Sequence, residues 1–163
     1  IYLKNINTKK LNNIDYVINL TTKDLAYATD YAGVKSGRDV DKFKEMKLTA
    51  VESAITKTPM IEESPVNIEC EVVETHDLGS HTMFMAKILK VYVDDKLIDK
   101  EGKIHVDKPG LLAYLHGEYF GLKKYPIGKF GYSVMKPKTA KKRRAEGKSY
   151  GGKKPHFNKE NGK

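Results

Sequence analysis

The sequence predicts a mainly β chain, a β-barrel that carries a small helical insertion. Three observations predict it. Val66 to Thr75 alternates in character, with Val66, Ile68, Cys70 and Val72 falling on one face. A short turn, Asp77-Leu78-Gly79, joins that run to a second β-prone run, His81 to Val93. Helical patterning is confined to the stretch between Lys23 and Met46, so no helices separate the later strands, which argues against parallel βαβ winding. With 163 residues and a hydrophobic share of 39%, the chain suits one domain.

The elements follow in order. Asn5 to Asn13 is polar and Lys/Asn-rich, compatible with a loop or a weak helix. Tyr16-Val17-Ile18-Asn19-Leu20 is a short β-prone run. Thr21 or Thr22 is placed to cap a helix from Lys23 to about Val34, whose end Gly33 and Gly37 bracket. Asp39 is placed to cap a second helix, Val40 to Met46. Leu48 to Met60 reads as an irregular connection with room for one short strand. After Pro65 come the two long strands, predicted to pair as an antiparallel hairpin with Val66, Ile68, Cys70 and Val72 facing a core. Asp94-Asp95 is a turn from which Lys96-Leu97-Ile98 starts back. Gly102 marks another turn, and Pro109 to Leu115 is apolar. Gly117 to Leu122 and Phe130 to Val134 are aromatic-rich strand candidates.

Charge divides the chain more sharply than hydropathy does. The net charge is +9, from 30 basic and 21 acidic residues. Of these, 11 basic and 2 acidic residues lie in Lys136 to Lys163, so residues 1–135 hold 19 of each sign and are balanced. The expectation is a domain over 1–135 and a basic, disordered tail over 136–163, too poor in apolar residues to offset its chain entropy. The single cysteine, Cys70, excludes an internal disulfide and fits a reducing, cytoplasmic setting. It sits in an alternating run and reads as a buried inert thiol. No apolar run approaches the ~20 residues of a membrane span. Ile1-Tyr2-Leu3-Lys4 leads into polar residues, so no signal peptide is expected here, and no His/Cys cluster has metal-ligand spacing.

The stretch YATDYAGVKSGRDVDKF, Tyr27 to Phe43, carries the chemistry. A helix stops at Ser36-Gly37-Arg38, just before a second helix carrying Lys42. A hydroxyl, a tightly turning Gly, two cations and the free N–H groups of the next helix's first turn are the ingredients of a phosphate site. The same residues also read as an ordinary helix–loop–helix with solvated charges. Asp30 and Asp39 read as caps rather than as bases.

That stretch, with SPVNIECEVVETHDLGSHTMFMAKI, LLAYLHGEYFGL and IGKFGYS in that order, resembles the flavin reductase-like family and its flavoredoxin-type members. The resemblance runs from about Tyr16 to Met135. It implies an FMN-binding split barrel and a homodimer with the flavin near the subunit interface. It places Ser36, Gly37, Arg38 and Lys42 at the phosphate end of the flavin, and it puts Gly79-Ser80-His81 at the nicotinamide or flavin face. By itself His81 reads as a structural histidine. Tyr119, in His116-Gly117-Glu118-Tyr119, would pack on the ring system or on the partner subunit.

Two departures accompany the resemblance. Family members carry several dozen residues before the match to Tyr16–Leu20, which supply opening strands of the barrel, and here only Ile1 to Asp15 stand there. The expectation is a barrel partial at its N-terminus, completed by neighbouring segments or a second subunit. Ala32 occupies a place where related sequences often have Cys. The chemistry implied is cofactor chemistry: a reduced nicotinamide, NADH or NADPH, transfers hydride to flavin, which passes electrons to an acceptor or redox partner protein. No catalytic triad is implied. Two readings compete: a barrel acting only as an interaction module, and nucleic-acid contact through Lys141-Lys142-Arg143-Arg144 in the tail.

Overall fold

The computed structural model describes residues 2–3, 15–122 and 130–145. It divides into two compact units, Ile1–Leu122 and Lys123–Lys163. The expected polar stretch Asn5 to Asn13 lies outside the described residues, as does the end of the basic tail from residue 146 onward.

In the first unit a four-stranded antiparallel sheet has the order β1 (Tyr2–Leu3), β2 (Asp15–Asn19), β5 (Val66–Asp77), β6 (Thr82–Val93). Between β2 and β5 lie α1 (Ala26–Val34), α2 (Lys42–Glu45) and the small hairpin β3 (Ala50–Glu52) with β4 (Pro59–Ile61). A second hairpin, β7 (Leu112–Leu115) with β8 (Glu118–Gly121), follows. The architecture is mainly β with a small helical insertion, as predicted.

The long hairpin forms as its alternation requires. Val66 pairs with Val93 and Asp77 with Thr82, with register shifts after Glu69 and after Val72. These bulges break strict alternation in the middle of β5. Val66 and Cys70 are buried, as expected, while Ile68 and Val72 are only partly so. The opposite face was not expected to be covered. It carries Val17, Asn19, Asn67 and Glu69, all buried. Segment 53–64 lies over it and is tied down by polar contacts. Ile61 donates its N–H to Asn19 Oδ1 at 2.9 Å, and Ile55 donates to Glu69 Oε1 at 2.9 Å.

Five local expectations are corrected. Leu48 to Met60 holds β3 and the start of β4 rather than one short strand, because the intervening loop closes through the Ser53 N–H to the Thr58 carbonyl at 3.1 Å and lets the two pair. The first helix has Leu25 at its N-cap and no side-chain cap, because Thr22 is drawn into a bridge with Leu111. Asp41, not Asp39, caps the second helix, accepting from the N–H groups of Phe43 and Lys44. After β6 the chain makes a 3-10 turn, Asp95–Leu97, and Ile98 bridges to Ile104 instead of returning along the sheet. Tyr132–Val134 is a 3-10 turn and not a strand, entered through Gly131 at φ +79°. In the second unit, Pro137–Ala145 of the basic segment forms α3.

Candidate functional site

The site gathers on α1 and the two elements that hold it. None of the residues of α1 is fully buried, and polar side-chain contacts help to hold it. Lys42 supplies one: its Nζ donates to the Ala32 carbonyl at 2.6 Å, an oxygen the helix end leaves without an intrahelical donor. Tyr119 supplies another from β8, its hydroxyl donating to Asp30 Oδ1 at 3.2 Å. The Tyr119 ring lies 5.0 Å from that of Tyr114. Burial, then the Asp30 carboxylate and Tyr114, raise the Tyr119 hydroxyl above the ordinary phenol value. Asp30 is thus a hydrogen-bond acceptor for a neighbouring strand and not a helix cap.

The loop between the helices closes on itself. Ser36 Oγ accepts from the Arg38 N–H at 3.2 Å, and the Ser36 carbonyl accepts from Asp39 at 3.1 Å and Val40 at 3.3 Å. Gly37 stays outside the left-handed region, and a Cβ there would meet only Lys42 Cε at 4.0 Å. Its tight turn therefore does not depend on glycine. The N–H groups of Phe43 and Lys44 are committed to Asp41 at 3.1 and 3.2 Å. The first turn of α2 is therefore not open to an anion, which corrects one ingredient of the sequence reading. What remains is Arg38: it is exposed, and its guanidinium has no hydrogen bond or ion pair among the described residues.

Sequence reasoning missed Lys23. Its backbone N–H donates to the Gly110 carbonyl at 3.1 Å, and its stem runs along β8. A Cβ at Gly121 would collide with Lys23 Cε, so the absence of a side chain there makes the channel for that stem. The Lys23 ammonium has no ion pair among the described residues. Gly121 in the aromatic run was the only signal for this arrangement, and a glycine in a strand does not announce what lies over it.

His81 stands apart. It sits at the tip of the long hairpin, where Gly79 turns at φ +82° and Leu78 donates its N–H to the His81 carbonyl at 2.8 Å. Its Nδ1 lies 2.8 Å from Ser80 Oγ, and the ring is exposed. Among the described contacts, none joins His81 to Ser36, Arg38, Lys42 or Tyr119. The structure therefore joins Lys42 and Tyr119 to α1, leaves Arg38 exposed in the loop that follows it, and leaves His81 on a separate element. Tyr27 and Tyr31 stack along α1 with centroids 6.5 Å apart, and Tyr27 is exposed. Among the described residues no cluster of three His, Cys, Asp or Glu groups placed to hold a metal occurs.

The model of the flavin reductase like domain matches residues 6–123. The chain belongs to that family. Flavoredoxin of Desulfovibrio vulgaris (Miyazaki F) is 26% identical with a TM-score of 0.63, the match covering 73% of this chain and 64% of that one. An FMN-binding protein from Thermus thermophilus is 25% identical with a TM-score of 0.57, covering 71% of this chain and 62% of that one. An uncharacterized protein of Pyrococcus abyssi is 41% identical over 81 residues, which are 50% of this chain and 45% of that protein. The chain spans about half the length of the curated relatives it matches. Its fold is that of the flavin reductase-like split barrel, and among the described residues its sheets do not close into a complete barrel. No described helix is long and apolar enough to cross a membrane.

Proposed function

We propose that the protein binds FMN and passes electrons from NADH or NADPH to an acceptor, as an NAD(P)H-dependent flavin oxidoreductase. The observation that carries this reading is the family match over residues 6–123, which contain every side chain assigned to the site. The flavin supplies the hydride and electron chemistry; the protein contributes binding, orientation and electrostatics. Arg38 is assigned to the phosphate, with Ser36 and Gly37 shaping its loop. Lys42 holds that loop against α1 through the Ala32 carbonyl and adds charge nearby. Lys23 joins the set as a second unpaired cation. Tyr119 supports the ring end from β8, and His81 is assigned to the nicotinamide or flavin face.

The test compares FMN with riboflavin, which lacks the phosphate. Loss of a charge-assisted contact costs ~1.5–3 kcal/mol, roughly ten- to hundredfold in affinity. Arg38→Ala is expected to weaken FMN by that factor and riboflavin hardly at all. His81→Ala is expected to leave the FMN preference intact and to change the rate of bleaching by NADH or NADPH. Equal weakening of both ligands by Arg38→Ala would reject the phosphate assignment. Failure of the unaltered chain to bind either flavin would leave the interaction-module reading in its place.

One observation favours a second reading. α3 carries Lys138, Lys141, Lys142, Arg143 and Arg144 and no acidic residue. Such a helix suits a polyanion such as nucleic acid, whose binding would fall steeply with salt. Salt-independent retention, or none, on a single-stranded DNA column would dismiss it.

A further inference from the structure

The outer end of the long hairpin carries a patch of soft donors that the flavin reading does not use. Across β5 and β6, His76 pairs in register with Met83, and Glu74 with Met85. Opposed residues share a face of the sheet, and so do residues two apart on one strand. These four side chains therefore stand on one face as a square. The register is regular from Glu74 to Asp77. Opposed Cβ atoms in such a ladder lie about 4.5–5.5 Å apart, and diagonal neighbours remain within reach of long side chains.

His76 Nε2 lies 2.9 Å from Glu74 Oε1. That carboxylate favours the proton on Nε2 and leaves the lone pair on Nδ1, which has no partner among the described residues. A carboxylate against the far nitrogen is the arrangement that orients metal-bound imidazoles. Met83 and Met85 are 44% and 46% exposed, so their thioethers meet solvent instead of filling a core. Lys87, two residues beyond Met85, stands opposite Glu71. One imidazole nitrogen and two thioether sulfurs make a soft, neutral donor set. Thioethers select Cu(I), whereas Zn(II) takes thiolates, imidazoles and carboxylates.

We propose that His76, Met83 and Met85 form a binding site for a soft monovalent metal ion, Cu(I). Glu74 is a positioning residue that holds His76 in its ligating tautomer. Arg38, Lys42, Tyr119 and His81 take no part, so the site stands apart from the flavin reading.

The experiment titrates the full chain with Cu(I), kept reduced by ascorbate, against the chelator bicinchoninate, with NMR of carbon-13-labelled methionine methyl groups in parallel. The chain has five methionines, so Met46, Met60 and Met135 serve as internal controls. Cu(I) is expected to shift the Met83 and Met85 methyls saturably and to leave those three in place. Zn(II) is expected to shift none. Met83→Leu/Met85→Leu, which conserves volume, and His76→Phe are each expected to weaken Cu(I) about tenfold or more while keeping a dispersed spectrum. Glu74→Ala is expected to weaken it about tenfold in the unaltered chain and not at all once His76 is replaced. Cys70 is the competing soft donor, but it is only 2% exposed, so Cys70→Ala is expected to leave the affinity unchanged. Undiminished affinity in the double methionine variant or in His76→Phe, equal shifts of all five methyls, or loss of binding in Cys70→Ala overturns the site. The same methyl shifts with Zn(II) overturn its assignment to a soft ion.

Discussion

Glu69 has no exposed surface, and among the described residues its carboxylate makes no ion pair. Burial pushes its acidity down, but the Thr56 amide and the hydroxyls of Tyr92, Ser53 and Thr56 outweigh burial and bring its pKa from 4.5 to about 2. The folded state therefore binds this proton less tightly than the unfolded chain does. The stability from Glu69 is present in full above pH 4.5 and is lost as pH falls through that range toward 2. A shift of this size corresponds to about 3 kcal/mol. Glu69→Gln is expected to lower stability at pH 7 by roughly that amount, because an amide N–H₂ would face the donors that the carboxylate accepts. It is also expected to flatten the loss of stability between pH 5 and 3 in urea titrations. Identical slopes in the two proteins would show that other groups drive acid unfolding. Glu69 was invisible as a core residue in the sequence, where a Glu in an alternating strand reads as solvent-facing.

At the scale of elements, turns were legible and helix caps were not. The β7–β8 connection is a two-residue turn with both φ positive, +53° at His116 and +87° at Gly117, the pattern of a type I′ hairpin. Gly117 suits it; His116 does not, since a side chain rarely adopts that region. His116→Asn is expected to raise stability by about 0.5–1 kcal/mol without altering the hairpin, and a lower melting temperature would show that the imidazole makes a contact worth more than the strain. The caps failed for a different reason. Thr22 had the chemistry of a cap, but its neighbours Thr21 and Lys23 hydrogen-bond to Leu112 and Gly110 and set it in a bridge opposite Leu111, nearly ninety positions along the chain. Local residue type cannot report a competitor so remote in sequence. Asp39 lost to Asp41 by two residues, within the ordinary spread of helix ends.

At the scale of the whole molecule, large apolar side chains on the described strands remain exposed, among them Val73, Ile88, Tyr114 and Leu115. A single copy rarely leaves so many in water. A homodimer is expected, and a monomeric mass by light scattering at tens of micromolar protein would reject it. The basic segment is expected to add nothing to the stability of the first unit, which ends at Leu122. Deleting residues 136–163 is accordingly expected to leave the melting temperature within a degree or so of the full chain's, whereas a fall of several degrees would show docking.

Sequence alone determined the mainly β class, the long hairpin about Asp77-Leu78-Gly79, the charge division and the family. Each follows from short-range information: strand period, turn chemistry, composition and ordered motifs. It also drew attention to Ser36-Gly37-Arg38 and Lys42. Only the tertiary structure decided which contacts those residues make. It committed the N–H groups of the second helix to Asp41, tied Lys42 to a carbonyl, left Arg38 unpaired and laid Lys23 across Gly121. It also buried a polar face, Asn19, Asn67 and Glu69, beneath segment 53–64. The physical reason is range in sequence. A hydrogen-bonding group takes the nearest partner in space, and for Asn19, Asn67, Glu69, Lys23 and Thr22 the elements that cover or pair with them lie in parts of the chain that local patterning does not connect to them.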